Sequence, residues 1–207
     1  LDGEGILALE AACASLIEKG DKVLVIDNGI YGNGFADFVS MYGGEAFLYS
    51  KDYRHTINLE ELEEYLVNNH DYKIATLVHG DTPSGMLNDV DAITKLLKKY
   101  GILTIVDAVS SMFGEKLNLE NIDILCGGSQ KVISAPPGLA FNVVSDRAKE
   151  VINSRKSPIA SFYANLKVFF NYYQDKWFPY TMPASDINGL SVAIDNIAND
   201  KKTKKKG

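Results

Sequence analysis

Short apolar runs, many of them rich in β-branched residues, alternate along the chain with longer amphipathic segments. The apolar runs predict buried strands at 22–27, 46–49, 74–79, 102–107, 122–126 and 139–144. The amphipathic segments predict helices at 7–18, 31–42, 59–68 and 89–100, from about 146, and at 161–173 and 185–199. Asn58, with an acid three residues on, predicts a helix start, and Gly101 predicts a helix end. Because continuous apolar strands need cover on both faces, this order predicts a three-layer α/β/α sandwich with a mostly parallel sheet.

Polar residues stop three of the predicted strands. Asp27-Asn28-Gly29 follows the first, His79-Gly80-Asp81-Thr82 follows the third, and Asp107 ends the fourth. Since ligands in such sheets bind at the carboxyl ends of the strands, we expect these residues to share one site. Asp107 taken alone fits two interpretations, a cap of the following turn or a carboxylate in a ligand crevice.

Composition narrows the class of protein. The chain has 207 residues with a formal net charge of −6, which argues against a nucleic-acid partner. We assign 1–200 to one large domain and 201–207 to a tail whose basic run, Lys201–Lys206, we expect to be solvated. The three histidines have no metal-ligand spacing, so no metal is expected. No apolar stretch approaches the roughly 20 residues of a membrane span, and no signal peptide is recognisable.

The two cysteines indicate the compartment. Cys13 and Cys126 both lie among apolar residues. This placement predicts reduced core thiols in a cytoplasmic protein rather than a disulfide or a metal site.

The strongest candidate for chemistry is Lys131 in the loop Gly127-Gly128-Ser129-Gln130-Lys131. A lysine in a loop is ordinarily just exposed, but glycines beside this one let the backbone approach a ligand closely. The prolines at 136 and 137 stiffen the loop on its far side. A lysine held in one place near the mouth of a parallel sheet suits Schiff-base chemistry.

Lys131 follows Asp107 by 24 positions, with one predicted strand between them. The segment VDAVSSMFGEKLNLENIDILCGGSQKVISAPPG resembles the core motif of the class V aminotransferases of fold type I. The group that the chain most resembles contains the alanine–glyoxylate, serine–pyruvate and 2-aminoethylphosphonate–pyruvate aminotransferases. This resemblance extends over about residues 3–197. The resemblance implies the large domain of an enzyme that depends on pyridoxal 5'-phosphate (PLP). Such an enzyme moves an amino group from a small amino-acid or aminophosphonate donor to glyoxylate or pyruvate as 2-oxo acid acceptor.

The resemblance also implies roles around the cofactor ring. Lys131 would hold PLP as a Schiff base and carry the proton of the reaction, and Asp107 would pair with the pyridine nitrogen. Val109 and Tyr31 would pack the two ring faces, and Thr82 would bond the ring hydroxyl. For Tyr31 a plain core aromatic is the alternative interpretation.

The phosphate end is implied by the same resemblance. Ser129 and Gln130 would lie near the phosphate, and the turn carrying Gly3 and Gly5 would receive it at a helix start. Within this turn the sequence departs from the family, which has residues there that can hydrogen-bond the phosphate. Glu4 instead places a carboxylate at this position, and a carboxylate repels a phosphate.

Three further features of the resemblance concern binding and assembly. Ile6 stands in the turn where the family has a polar residue, and Gly34 stands where related proteins tend to carry Arg. The stretch 177–183 resembles a segment whose Thr181 would reach the phosphate of a partner subunit's cofactor, which implies a homodimer. The family's small C-terminal domain, with the arginine that binds the substrate carboxylate, has no counterpart, so we expect a large-domain fragment.

Three alternatives to an active aminotransferase remain. Glu4, Ile6 and the missing arginine favour a non-catalytic remnant of such an enzyme. A nicotinamide dehydrogenase shares the α/β pattern, but Gly3-Glu4-Gly5 lacks a third glycine and a preceding strand. Cysteine desulfuration is disfavoured because neither Cys13 nor Cys126 lies in a plausible catalytic loop.

Overall fold

Eight strands are present in the computed structural model, which describes residues 1–200. They are β1 (Lys22–Asp27), β2 (Glu45–Ser50), β3 (Ile74–Val78), β4 (Gly80–Asp81), β5 (Met86–Leu87), β6 (Leu103–Asp107), β7 (Ile124–Gly128) and β8 (Ala140–Val144). Six form one sheet in the order β2-β1-β3-β6-β7-β8, while β4 and β5 form a separate hairpin. Every pair in the large sheet is parallel except β7 with β8. The prediction of a mostly parallel sheet is confirmed.

Helices cover both faces of this sheet. They are α1 (Gly5–Leu16), α2 (Ile30–Met41), α3 (Leu59–Asn68), α4 (Val90–Lys99), α5 (Asp146–Asn153), α6 (Tyr172–Asp175) and α7 (Ala184–Asn199), with 3₁₀ turns at Leu119–Asn121 and Leu166–Phe169. One apolar core joins the sheet to α1, α2 and α5, and a second joins it to α3 and α4. The three-layer prediction is therefore confirmed. No helix within the described range is long and apolar enough to cross a membrane.

Local capping explains several helix ends. Asn58 accepts hydrogen bonds from the backbone N–H groups of Glu60 and Glu61, as predicted for the start of α3. Asp89 caps α4 in the same way through the N–H of Ala92. Gly101 follows α4 with φ of +76°, a conformation that favours glycine, and the predicted helix end is confirmed.

The helix predicted over 161–173 is wrong. The chain there makes only the 3₁₀ turn and the short α6. The backbone N–H of Leu166 donates to Oγ of Ser15 in α1 at 3.0 Å, and the Leu166 side chain is buried in the α1 core. Asn165 accepts from the N–H of Lys167, a local bond that competes with helical ones. Tertiary contacts with α1 thus replace the helix that the local pattern favours. The Lys201–Lys206 prediction lies outside the described residues.

Candidate functional site

A pocket of about 130 Å³ opens at the carboxyl edge of the sheet, where β1, β3 and β6 end side by side. It is lined by Glu4, Ile6, Leu9, Tyr31, Gly80, Thr82, Asp107, Val109, Ser110 and Lys131. Half of the ten predicted site residues therefore meet in this pocket. Among the polar residues predicted at the strand ends, Thr82 and Asp107 line this pocket together.

Asp107 ends β6 and is only 6% exposed. Its Oδ1 accepts a hydrogen bond from the backbone N–H of Val109 at 2.8 Å. Burial raises the pKa of Asp107 to about 6, opposed by the Val109 hydrogen bond, raised further by the charge of Asp81 and lowered by that of Lys131. A cation placed against this carboxyl would stabilise its ionised form.

Lys131 is exposed in the loop after β7 and lines the same pocket as Asp107. Within residues 1–200 its ammonium group makes no hydrogen bond or salt bridge. The loop itself is fixed from below by Ser129, which is fully buried. The Ser129 hydroxyl donates to the carbonyl of Pro136 at 2.6 Å and accepts from the N–H of Leu139 at 3.3 Å. The lysine is thus carried on a braced loop, with its nitrogen available to a ligand.

Ser129 does not line the pocket in the described part of the chain, and its hydroxyl proton is already engaged with Pro136. Gln130 lies beside the pocket, and its Nε2 donates a hydrogen bond to the carboxylate of Glu4. These two placements give Ser129 a bracing contact and Gln130 a contact at the ligand end.

Tyr31 lies on the first turn of α2 with 44% of its surface exposed at the pocket. The alternative interpretation of a plain core aromatic is therefore wrong. Its backbone N–H donates to Oδ1 of Asp81 at 3.3 Å. Gly29 makes this approach possible, because a Cβ there would lie 2.4 Å from Cγ of Asp81.

Thr82 lies in the β4–β5 hairpin, whose turn is shaped by the buried Asp81. The Asp81 carboxylate accepts from the N–H of Ser84 at 3.1 Å and from its hydroxyl at 2.7 Å. Thr82 is exposed and faces the pocket, so its hydroxyl is free to meet a ligand.

Glycines allow α1 to approach the end of β7 closely. A Cβ on Gly5 would lie 2.6 Å from Cγ1 of Val109, and a Cβ on Gly128 would lie 2.9 Å from Cα of Gly5. Gly3 sits one step earlier, where its N–H donates to the carbonyl of Gly138 at 2.8 Å. Gly3 and Gly5 thus position the start of α1 beside the pocket, although neither lines it in the described residues.

The start of α1 is occupied by Glu4. One carboxylate oxygen accepts from the N–H of Ile6 at 3.4 Å, and the other accepts from Nε2 of Gln130 at 2.5 Å. Oε1 of Gln130 is buried and has no hydrogen-bond partner within 1–200. The turn that would receive a phosphate therefore already holds a carboxylate.

Thr181 lies away from the pocket and is exposed. The neighbouring Tyr180 stacks on Tyr163 with ring centroids 4.2 Å apart, and the Tyr163 hydroxyl donates to the carbonyl of Asp2 at 2.9 Å. These contacts hold the segment with Thr181 against the chain that leads into α1.

Sequence reasoning missed Leu9 and Ser110 as pocket residues. Ser110 follows Asp107 by three positions, and its hydroxyl donates to the carbonyl of Gly80. Leu9 follows Ile6 by three positions on α1, so helical spacing from the glycine turn is the pattern that could have indicated it.

Neither cysteine contributes to this site. Cys13 and Cys126 are free thiols, fully buried in the α1 core. Burial raises the pKa of both thiols, which makes them poor nucleophiles.

A family model described as "Aminotransferase class-V" matches residues 3–203. The chain belongs to the class V aminotransferase family. This aminotransferase chain is 37% identical to a pyridoxamine–pyruvate transaminase of Mesorhizobium japonicum over 97% of its length and 52% of the relative's. It is 37% identical to an alanine–glyoxylate aminotransferase of Callithrix jacchus over 94% of its length and 48% of the relative's.

Solved structures agree with this assignment. The crystal structure of pyridoxamine–pyruvate aminotransferase from Mesorhizobium loti superposes with a TM-score of 0.90 at 37% identity, over 97% of this chain and 52% of that one. An alanine–glyoxylate aminotransferase from Nostoc superposes with a TM-score of 0.91 at 29% identity, over 96% and 53%. The chain spans about half the length of the relatives it matches.

The family depends on PLP, and the two ends of the pocket fit that cofactor differently. At the ring end, the buried carboxyl of Asp107 suits a protonated ring nitrogen, and Lys131 offers a nitrogen that has no partner in the described chain. Tyr31 and Val109 supply an aromatic and an aliphatic wall. At the other end, Glu4 presents a carboxylate where the phosphate would lie.

Proposed function

We propose that this chain is the large domain of an aminotransferase that moves an amino group from a small donor to glyoxylate or pyruvate. Alanine, serine and 2-aminoethylphosphonate are the donors that the motif suggests, and one relative's name adds pyridoxamine. The observation that carries the proposal is a single pocket that contains a buried Asp107 and a Lys131 whose ammonium group has no partner among residues 1–200. Few other reactions need a displaceable lysine nitrogen beside a buried carboxyl.

A bound pyridoxal ring supplies an electron sink that makes the C–H bond beside an amine acidic. Oδ of Asp107 would hold a proton at the ring nitrogen through a charge-assisted hydrogen bond. Nζ of Lys131 would carry a proton to and from the substrate carbon.

Three other residues position the ring. Val109 would pack one face, Tyr31 would pack the other, and the Thr82 hydroxyl would donate to the ring oxygen. The placement of all three on the pocket wall supports these roles.

A homodimer is part of the same proposal. The segment around Thr181 exposes several aromatic side chains, which supports a second copy as their cover: Phe162, Tyr173, Trp177 and Phe178. Sedimentation of the purified chain tests this, and a monomer at all concentrations would contradict it. The free thiols of Cys13 and Cys126 support a cytoplasmic location.

A non-catalytic remnant is the second candidate function, and Glu4 is the observation that favours it. A remnant would keep the fold and lose the cofactor. Covalent attachment at Lys131 is therefore the property that separates the two candidates.

The test is a titration of the purified chain with pyridoxal and, separately, with PLP, followed by borohydride reduction and peptide mass mapping. We expect a visible absorption band with at least one of them and a reduced adduct on Lys131. Lys131→Ala should abolish both signals, whereas Lys116→Ala, at another exposed lysine, should leave them unchanged. A folded chain that forms no adduct with either compound would be a remnant.

A further inference from the structure

The carboxylate of Glu4 lines the same pocket as Lys131 and Asp107. It lies at the first turn of the 12-residue α1, where the helix dipole and free N–H groups ordinarily attract an anion. The chain thus supplies its own anion at the position a cofactor phosphate would need.

We propose that Glu4 makes this pocket select unphosphorylated pyridoxal and pyridoxamine over their phosphate esters. The inference rests on the proposed function, because it takes the ring end of the pocket as described. It concerns only the group carried on the ring's 5-methylene, a hydroxyl in the free vitamers and a phosphate in the esters.

Two hydrogen-bond donors at this end, the N–H of Ile6 and Nε2 of Gln130, already donate to Glu4. A phosphate could take these donors only by displacing the carboxylate, which would then remain beside it as a like charge. The side chain of Ile6 offers no hydrogen bond in exchange.

Acceptors at this end, in contrast, are in excess. Oε1 of Gln130 is buried without a partner in the described chain, and the Glu4 carboxylate has further lone pairs. A hydroxymethyl group brings a hydroxyl donor that can satisfy either oxygen. A phosphate dianion brings only acceptors, so it would leave Oε1 of Gln130 unsatisfied.

The charges that line the pocket also favour a ligand without a phosphate. They are the carboxylates of Glu4 and Asp107 and the ammonium of Lys131, and the lysine belongs to the ring end. A neutral hydroxymethyl group adds nothing to this balance, whereas a phosphate adds two negative charges next to Glu4. A ligand without the phosphate would be held by the ring contacts, by Lys131 and by the hydrogen bond that its hydroxyl donates, as suits a substrate that exchanges.

The experiment measures the affinities of the full chain for pyridoxal and for PLP by absorption titration, in the wild type and in Glu4→Gln and Glu4→Ser. We expect the wild type to bind pyridoxal more tightly than PLP. Each Glu4 variant should shift the ratio of the two affinities toward PLP by about tenfold or more, since it removes a like charge within hydrogen-bonding range. Glu60→Gln makes the same charge change in the first turn of α3 and should leave the ratio unchanged.

A second readout does not depend on affinity fits. The protein is reduced with borohydride in an equimolar mixture of pyridoxal and PLP, and the mass of the Lys131 peptide is measured by mass spectrometry. The wild type should carry mainly the pyridoxyl adduct, and the Glu4 variants mainly the phosphorylated one. Tighter PLP binding at Lys131, unmoved by both Glu4 variants, would overturn this inference and leave the aminotransferase proposal standing. An absence of any adduct at Lys131 would overturn both.

Discussion

The side-chain amides of Asn28 and Asn88 bond to each other in both directions. Nδ2 of Asn28 donates to Oδ1 of Asn88 at 2.8 Å, and Nδ2 of Asn88 returns a bond to Oδ1 of Asn28 at 3.1 Å. Asn88 also donates to the carbonyl of Val78 at the end of β3. Both residues are 2% exposed, so this buried pair holds the ends of β1 and β3 together.

Replacing either amide of this pair should destabilise the fold. Asn28→Ala and Asn88→Ala each leave buried polar groups unsatisfied, and we expect each to lower the free energy of unfolding by about 2–3 kcal/mol. Because both variants lose the two bonds within the pair, the double variant should cost less than the sum. Urea denaturation of the four proteins measures this coupling. Asn196→Ala, at an exposed position of α7, serves as the control, and strictly additive losses would contradict the pairing.

The buried carboxyl of Asp107 should make stability depend on pH. Its folded pKa of about 6 lies above the unfolded value, so the protonated form favours folding at low pH and that contribution is lost as the pH rises. Relative to Asp107→Asn, the ligand-free wild type should lose up to about 3 kcal/mol of stability between roughly pH 4 and pH 6. Above that window the difference should stay constant.

Thermal unfolding of both proteins across pH 4–8 checks this expectation. Asn can still accept the hydrogen bond from the N–H of Val109, so the variant changes mainly the charge. Asp195→Asn, an exposed carboxyl on α7, controls for general charge effects. Parallel profiles for wild type and Asp107→Asn would show that the carboxyl is ionised freely in the folded state.

Two glycines in α2 should respond oppositely to alanine. A Cβ at Gly32 would lie 2.7 Å from the carbonyl oxygen of Ile26 in β1, so Gly32→Ala must push helix and strand apart. We expect a loss of at least about 1 kcal/mol. Gly34 has no atom within 4 Å of its would-be Cβ, so Gly34→Ala should stabilise by about 0.5–1 kcal/mol through helix propensity. Chemical denaturation measures the free energy of unfolding of both variants. Equal changes would contradict the close approach of α2 to β1 at Gly32.

The sequence was enough to predict the parts of the site that follow from strand ends. Asp107 and Thr82 were found because apolar strands stop at polar residues, and Lys131 because a braced glycine loop follows β7. The same pattern failed at 161–173, where a bond between Leu166 and Ser15 of α1 overrides local helix propensity. No periodicity reports a bond between residues so far apart in sequence.

The role of Glu4 shows the same limit from the functional side. The sequence indicated that a carboxylate stands in the phosphate turn. It could not indicate that Gln130, 126 positions later, donates to that carboxylate and leaves its own Oε1 unpaired. The hydrogen bond between Gln130 and Glu4 forms only when α1 packs against the end of β7, so no local sequence pattern can indicate it.

The fastening of Gly3 to Gly138 has a consequence for how the protein is made. The turn before α1 leaves the ribosome before its anchor at Gly138, which emerges more than a hundred residues later. Until then α1 lacks the contacts that it makes with β8. Ligand binding therefore requires that the segments around Gly3 and Gly138 are already in contact. A vitamin B6 compound present during synthesis would stabilise the last contacts to form rather than the first.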